Sequence, residues 1–179
     1  MEIHRVLGLA AFGVTYEAMD HRVGEHVVVK EYYPRQFATG GDDGSAIEAL
    51  PKHVSTYRAG LKVFVDQAWR LTTLHHRSVV GVSQIMEANN TAYMVMAYER
   101  GSTLESVLDE GRKMATVRVS EFAVHLAQGL RDLHDANIEH RDVTPRNIIL
   151  RESGAAVLVG FGAVRAAPYA DIEVESGEH

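Results

Sequence analysis

The first thirty residues constrain the fold most. Three β-rich runs, Ile3 to Leu9, Val14 to Tyr16 and His26 to Lys30, follow one another with only Gly8–Gly13 and the turn-like stretch Asp20–Glu25 between them. Links this short join neighbouring strands, so the chain opens as a three-stranded meander. The hydrophobic period then changes. From Arg58 to Leu74, apolar residues recur at Leu61, Phe64, Val65, Ala68 and Leu71, the spacing of an amphipathic helix. Residues 34–57 lie between the two patterns and hold Pro34, Pro51 and a Gly-Gly pair, which reads as an irregular insertion.

Two further strands are predicted at Val79–Met86 and Ala92–Tyr98, joined by an Ala88-Asn89-Asn90-Thr91 turn. Gly101-Ser102 opens a short helix through Leu108, with Ser102 as N-cap and Glu105 as its capping-box partner. A second amphipathic helix covers 117–136, with Phe122, Leu126, Leu130 and Leu133 on one stripe. Residues 138–147 are too broken by Pro145 and by charge to be regular. Ile148–Leu150 and Ala156–Val159 close as short strands. The order defines an α+β protein and no particular function.

Composition removes several function classes. A net charge of -6 argues against a nucleic-acid surface, which needs a basic face. There is no cysteine, so disulfides and thiolate metal sites are excluded, which suits a reducing cytoplasm. No apolar run is long enough for a signal peptide or a membrane span. The ten histidines are scattered, only His75-His76 being adjacent, and no zinc spacing occurs, so zinc is not expected.

The chemistry is concentrated in His140-Arg141-Asp142-Val143-Thr144-Pro145-Arg146-Asn147. An acid followed five residues later by an amide, in a loop between a helix and a strand, suits phosphoryl transfer. The Asp142 carboxylate would accept a hydroxyl proton and the Asn147 amide would hold a metal ion. Alone, the tripeptide His-Arg-Asp reads as an ordinary solvated loop with an Arg-Asp pair. Three more features stand in a matching order. Leu7-Gly8-Leu9-Ala10-Ala11-Phe12-Gly13-Val14-Thr15-Tyr16 supplies small residues between two strands, where backbone amides can approach phosphate oxygens. Lys30 ends Val27-Val28-Val29-Lys30, placed for α- and β-phosphates. Val157-Leu158-Val159-Gly160-Phe161-Gly162 follows the loop.

With these four motifs the chain resembles a eukaryotic-type protein kinase, nearest in texture to bacterial serine/threonine kinases, over residues 3–165. The strings Lys30-Glu31-Tyr32-Tyr33-Pro34, Thr91 to Tyr98 and Gly101-Ser102-Thr103-Leu104 add to it. The resemblance implies a five-stranded antiparallel N-lobe with one helix at 1–98 and a partial, mostly helical C-lobe at 99–179. It implies ATP as cofactor, held by Gly8, Gly13, Lys30, Val28, Met96 and Tyr98. Met96 would be the gatekeeper, and Ala97 to Glu99 the hinge that meets adenine. Asp142, Lys30 and Asn147 would be the catalytic set. Leu71, Val82, His140 and Phe161 would form the apolar stack that aligns the lobes, which makes His140 a packing residue.

Departures from that family pattern decide the functional expectation. Gly160 stands where the magnesium-binding Asp belongs, and glycine offers no ligand, so Asn147 alone remains as a metal residue and magnesium binds weakly or not at all. Gln67 stands where a Glu should pair with Lys30; Asp66 is adjacent but rotated about 100° around the helix. Ala10 replaces the second loop glycine, Val28 narrows the adenine slot, and Thr144 replaces a lysine. The chain ends at His179, short of Ala-Pro-Glu and the following helical lobe, and Tyr169 and Ser176 are the hydroxyl residues after Gly162. The expectation is a pseudokinase acting as a regulatory or scaffolding module, the alternative an active serine/threonine kinase with atypical metal use, or a fragment of one. Apolar residues on several faces of the helix 117–136 predict a homodimer or a protein partner there.

Overall fold

The computed structural model describes residues 1–40 and 46–162. Three strands lead: β1 (Glu2–Ala10), β2 (Gly13–Asp20) and β3 (Glu25–Tyr32). A two-residue pair follows, β4 (Ala38–Thr39) with β5 (Glu48–Ala49), then a 3₁₀ turn at Pro51–His53 and helix α1 (Val54–Thr73). Strands β6 (Val82–Ala88) and β7 (Thr91–Ala97) complete the first half. Beyond them come β8 (Ser102–Thr103), α2 (Leu104–Asp109), α3 (Thr116–Asp135), a 3₁₀ turn at Pro145–Asn147, β9 (Ile148–Leu150) and β10 (Ala156–Leu158).

The predicted meander and hairpin join into one antiparallel sheet of order β1-β2-β3-β7-β6. Its tight turns have local causes. Asn89 and Asn90 both take positive φ (53° and 57°), the left-handed pair that a two-residue hairpin needs. Gly13 is required by close approach: a Cβ there would lie 2.2 Å from the Glu31 carbonyl oxygen on β3.

Helix α1 buries Phe64, Ala68 and Leu71 of the stripe its spacing predicts, together with Tyr57 and Gly60, while Leu61 and Val65 pack half-buried against the core. It starts at Val54, four residues earlier than the Arg58 expected from periodicity. The stretch read as an irregular insertion is partly regular, because β4 and β5 pair Ala38 with Ala49 and seat Phe37, Ala38 and Ile47 in the core. Two-residue strands are too short for an alternation signal. Strand β6 begins at Val82 rather than Val79, since Val79 and Val80 pair instead with Leu158. The cap of α2 is Thr103, whose Oγ1 accepts from the Ser106 amide, not Ser102.

A second sheet, β10-β9-β8, lies beside α3. Helix α3 buries Phe122, Gly129 and Leu133, while Val117, Val119 and Val124 stay exposed. One hydrophobic cluster runs without a break from Val14, Tyr32 and Phe64 to Phe122, Leu133, Ile138 and Phe161, so both halves share a core. No helix among the described residues is long and apolar enough to cross a membrane.

Candidate active site

Four segments meet beneath the five-stranded sheet: β3, helix α1, the loop 138–147 and the segment after β10. Strand alternation puts His26, Val28 and Lys30 on one face of β3. Val28 pairs with Met96 of β7 and Lys30 with Thr15 of β2, so the residues expected around an adenine slot stand together. Met96 is buried and Val28 half-buried. Tyr98, just past β7, is half-buried with its ring 5.8 Å from that of His26. Gly8 lies on exposed β1, and a Cβ there would touch nothing within 4 Å, whereas Gly13 has no such room.

Lys30 is the most perturbed group. Its Nζ donates to the Phe161 carbonyl oxygen at 2.5 Å in a buried setting. Burial lowers the ammonium pKa from 10.5 to about 8, and the Asp142 carboxylate opposes that fall. The expected carboxylate partner on α1 is missing, and its replacement has gone elsewhere: Gln67 Nε2 donates to the Glu139 carbonyl at 3.2 Å. Lys30 is thus a dehydrated cation held by a carbonyl. An anion delivered to it would relieve the burial cost.

The loop 138–147 is built around Asp142. Asn147 Nδ2 donates to the Asp142 carbonyl at 2.9 Å and to its Oδ2 at 2.8 Å, while Arg146 Nη2 approaches Oδ1 at 3.4 Å. His140 is buried, its ring edge-on to Phe161 with centroids 4.5 Å apart. Its Nδ1 accepts from the Asp142 amide at 3.2 Å, so Nε2 carries the proton and donates to the Val159 carbonyl at 2.7 Å. Burial holds its pKa below the ordinary imidazole range. His140 therefore packs and positions the backbone of Asp142 as a neutral ring. Leu71, Val82 and Phe161 are also buried in the shared core.

Gly160 takes φ +86°, and a Cβ built on it would lie 2.4 Å from Asn147 Oδ1. The Asn147 amide fills the space beside the missing side chain. Thr144 Oγ1, in the same loop, is buried without a hydrogen-bond partner among the described residues. Tyr169 and Ser176 lie outside the described residues, as does the tail they belong to.

Sequence reasoning did not find the Phe161 carbonyl as the partner of Lys30, the contact of Arg146 with Asp142, or the forked pair of Arg151 with Glu99 (2.7 and 2.8 Å). That pair ties the start of the inter-half linker to the end of β9. A salt-bridge signal for it was absent because 52 residues separate the partners.

A five-stranded antiparallel sheet with one helix and a buried lysine on its third strand, followed by an Asp–Asn loop and a Gly-Phe-Gly segment, defines a kinase-like fold. The comparisons agree. The sequence matches the protein kinase domain family over residues 1–175, and the chain belongs to that family. It is 30% identical to a probable serine/threonine-protein kinase of Streptomyces coelicolor, over 92% of this chain and 22% of that protein. It is 28% identical to the serine/threonine-protein kinase PknA of Mycobacterium tuberculosis, over 93% of this chain and 36% of PknA. Among solved structures, the apo form of PpkA-294 superposes with a TM-score of 0.80 at 30% identity, covering 91% of this chain and 58% of that one. The chain thus spans well under half the length of these curated relatives.

Proposed function

We propose that this chain is an ATP-binding regulatory module of the protein kinase family whose phosphotransfer is impaired. The observation that carries the reading is Gly160, backed by the Asn147 amide and offering no side-chain ligand. Magnesium fits poorly here. A hard cation prefers several oxygen donors, carboxylates above all. The loop around Asp142 offers the neutral Asn147 Oδ1, the Thr144 hydroxyl and the Asp142 carboxylate, which Asn147 and Arg146 already engage. ATP fits better, since the Val28–Met96 pair leads along one sheet face to the buried Lys30 ammonium, which has no carboxylate in direct contact.

In this reading the nucleotide's phosphates would take Lys30 as their cation and shift the lobe arrangement without turnover. The protein would work in the cytoplasm. The exposed valines of α3 would give it a surface for a second protein chain, and a strictly monomeric gel-filtration profile at high concentration would count against that docking.

A second reading is a serine/threonine kinase, or a piece of one, with atypical metal use. The intact Asp142–Asn147 pair favours it. Thermal unfolding with ATP, with and without Mg²⁺, separates the two. Binding to the folded state raises the midpoint by mass action. A shift without any need for Mg²⁺, lost in Lys30→Ala, is expected. A shift that requires Mg²⁺, with phosphate transfer abolished by Asp142→Ala, would establish the kinase reading instead. No shift at millimolar ATP would leave a scaffold without nucleotide.

A further inference from the structure

Two histidines and a carboxylate from three different strands meet on the sheet, away from the loop of Asp142. A ligand atom from each of His4, Glu17 and His26 lies within 4.8 Å of the other two. The backbone explains why. The register of β1 on β2 jumps between Ile3 and Arg5, leaving His4 as the extra residue of a bulge. Around that bulge Arg5 reaches Glu17 and the His4 ring meets the His26 ring edge-on, with centroids 5.7 Å apart. Across β2 and β3, Met19 faces His26 and Glu17 faces Val28, so Glu17 and His26 are diagonal neighbours on one face.

The three groups are arranged as ligands. The Glu17 side chain is only 12% exposed, and its Oε2 is held by Arg5 Nε at 2.8 Å. That contact fixes the carboxylate in the manner of an outer-sphere partner and leaves Oε1 directed at His26 Nδ1, 3.3 Å away. His26 is 41% exposed and His4 is exposed, so both rings can be reached from solvent and can turn. Ligand atoms on one tetrahedral zinc ion sit about 3.4 Å apart, as bonds of about 2.0–2.1 Å require. The 3.3 Å between Glu17 Oε1 and His26 Nδ1 already matches that value, and the ligand atom of exposed His4 lies no more than 4.8 Å from the others.

We propose that His4, Glu17 and His26 form a zinc site, with water completing the shell. Two imidazoles and one carboxylate make a borderline donor set that selects Zn²⁺ over Mg²⁺ or Ca²⁺. Arg5 opposes a dication by its charge, and the Glu17 carboxylate between them offsets it. The ion would pin β1, β2 and β3 together. It would sit on the same face as Lys30 but four residues along β3, about 13 Å away, beside Tyr98 where β7 ends. The sequence spacing predicts no zinc because the ligands are separated by 13 and 9 positions and belong to three strands, which no linear motif encodes. The inference does not rest on the nucleotide reading, although Glu17 faces Val28 and the site borders the residues expected around adenine.

Calorimetric titration of the chelator-treated full chain with Zn²⁺, together with Co²⁺ absorption as a geometric probe, tests it. One ion should bind in the micromolar range or tighter, and the Co²⁺ complex should show the intense visible bands of a four-coordinate site. His4→Ala and His26→Ala should each weaken Zn²⁺ at least tenfold while leaving the metal-free unfolding midpoint near wild type, since both rings are exposed. Glu17→Gln, which keeps the shape and removes the charge, should weaken it as well. His75→Ala, from the adjacent histidine pair, should bind as wild type does. Binding that survives in the His4→Ala/His26→Ala double variant would overturn the proposal, as would no saturable binding by the wild type.

Discussion

Lys30 places an ammonium out of water on a carbonyl oxygen, and Gln67, where a carboxylate was expected, turns to the Glu139 carbonyl instead. Its pKa falls from 10.5 to about 8, so between those values the unfolded chain holds more protons than the folded one. Stability therefore rises with pH across that window, and the burden of charging Lys30 is fully present below pH 8. The shift corresponds to roughly 3 kcal/mol at most, from which the lost hydrogen bond to Phe161 must be subtracted. Lys30→Met should accordingly stabilise the protein by about 1–2 kcal/mol at pH 7 in urea unfolding, with the gain shrinking towards pH 10.5. A variant less stable than wild type at pH 7 would show that the ammonium is compensated. Gly160→Asp probes the opposite deficit. Its Cβ would displace the Asn147 amide, which must let go of Asp142, at a positive φ that Asp tolerates only with strain. We expect a loss of about 1–3 kcal/mol without metal and a new Mg²⁺ requirement in the ATP-induced thermal shift. A folded Gly160→Asp protein whose ATP response ignores Mg²⁺ would mean that the missing carboxylate is not what limits metal binding. Asp142 and Asn147 were legible from sequence because five residues of one loop fix their distance. The partner of Lys30 was not, since it is 131 positions away and depends on how the segment after β10 turns.

Elements whose pattern repeats over many turns were read well, and those set by a single contact were not. Helices α1 and α3 carry several turns of apolar spacing, and their cores came out as the periodicity implied. The early start of α1 follows from Pro51 opening a 3₁₀ turn that feeds directly into the helix, a boundary effect that side-chain period does not register. Strand β6 lost its first residues because Val79 and Val80 found Leu158, a partner far along the chain. At α2 both Ser102 and Thr103 are acceptable caps by type, and only backbone direction chooses between them. Thr103, with extended φ/ψ, accepts from Ser106 at 3.1 Å. Thr103→Ala should cost about 1 kcal/mol, while Ser102→Ala should cost much less, both measured by chemical denaturation. Equal losses would place the cap energy elsewhere. The margin matters because α2 is six residues long and has few intrahelical bonds to spare.

The two halves share one hydrophobic cluster, so a division of the chain at residues 98 and 99 describes anatomy more than cooperativity. Residues of the five-stranded sheet and α1 touch the same buried set as α3, β9 and β10, with Phe161 and Leu71 among its fully buried members. If packing of this kind couples the halves, damage in one must appear in the other. Leu133 is fully buried on α3, and because Trp69, the single tryptophan, is exposed, hydrogen exchange of the α1 amides is the probe of the first half. Leu133→Ala should cost about 2–5 kcal/mol by lost transfer and the cavity left behind. In a cooperative molecule that loss lowers the protection of the α1 amides by as much as the global stability seen by far-UV ellipticity, because a single transition serves all probes. Protection of the α1 amides that stays put while the ellipticity midpoint falls would show that the sheet and α1 hold together by themselves. In that case Lys30 and Asp142 would sit on units able to separate, and the 2.5 Å contact of Lys30 with Phe161 would be the place where they part.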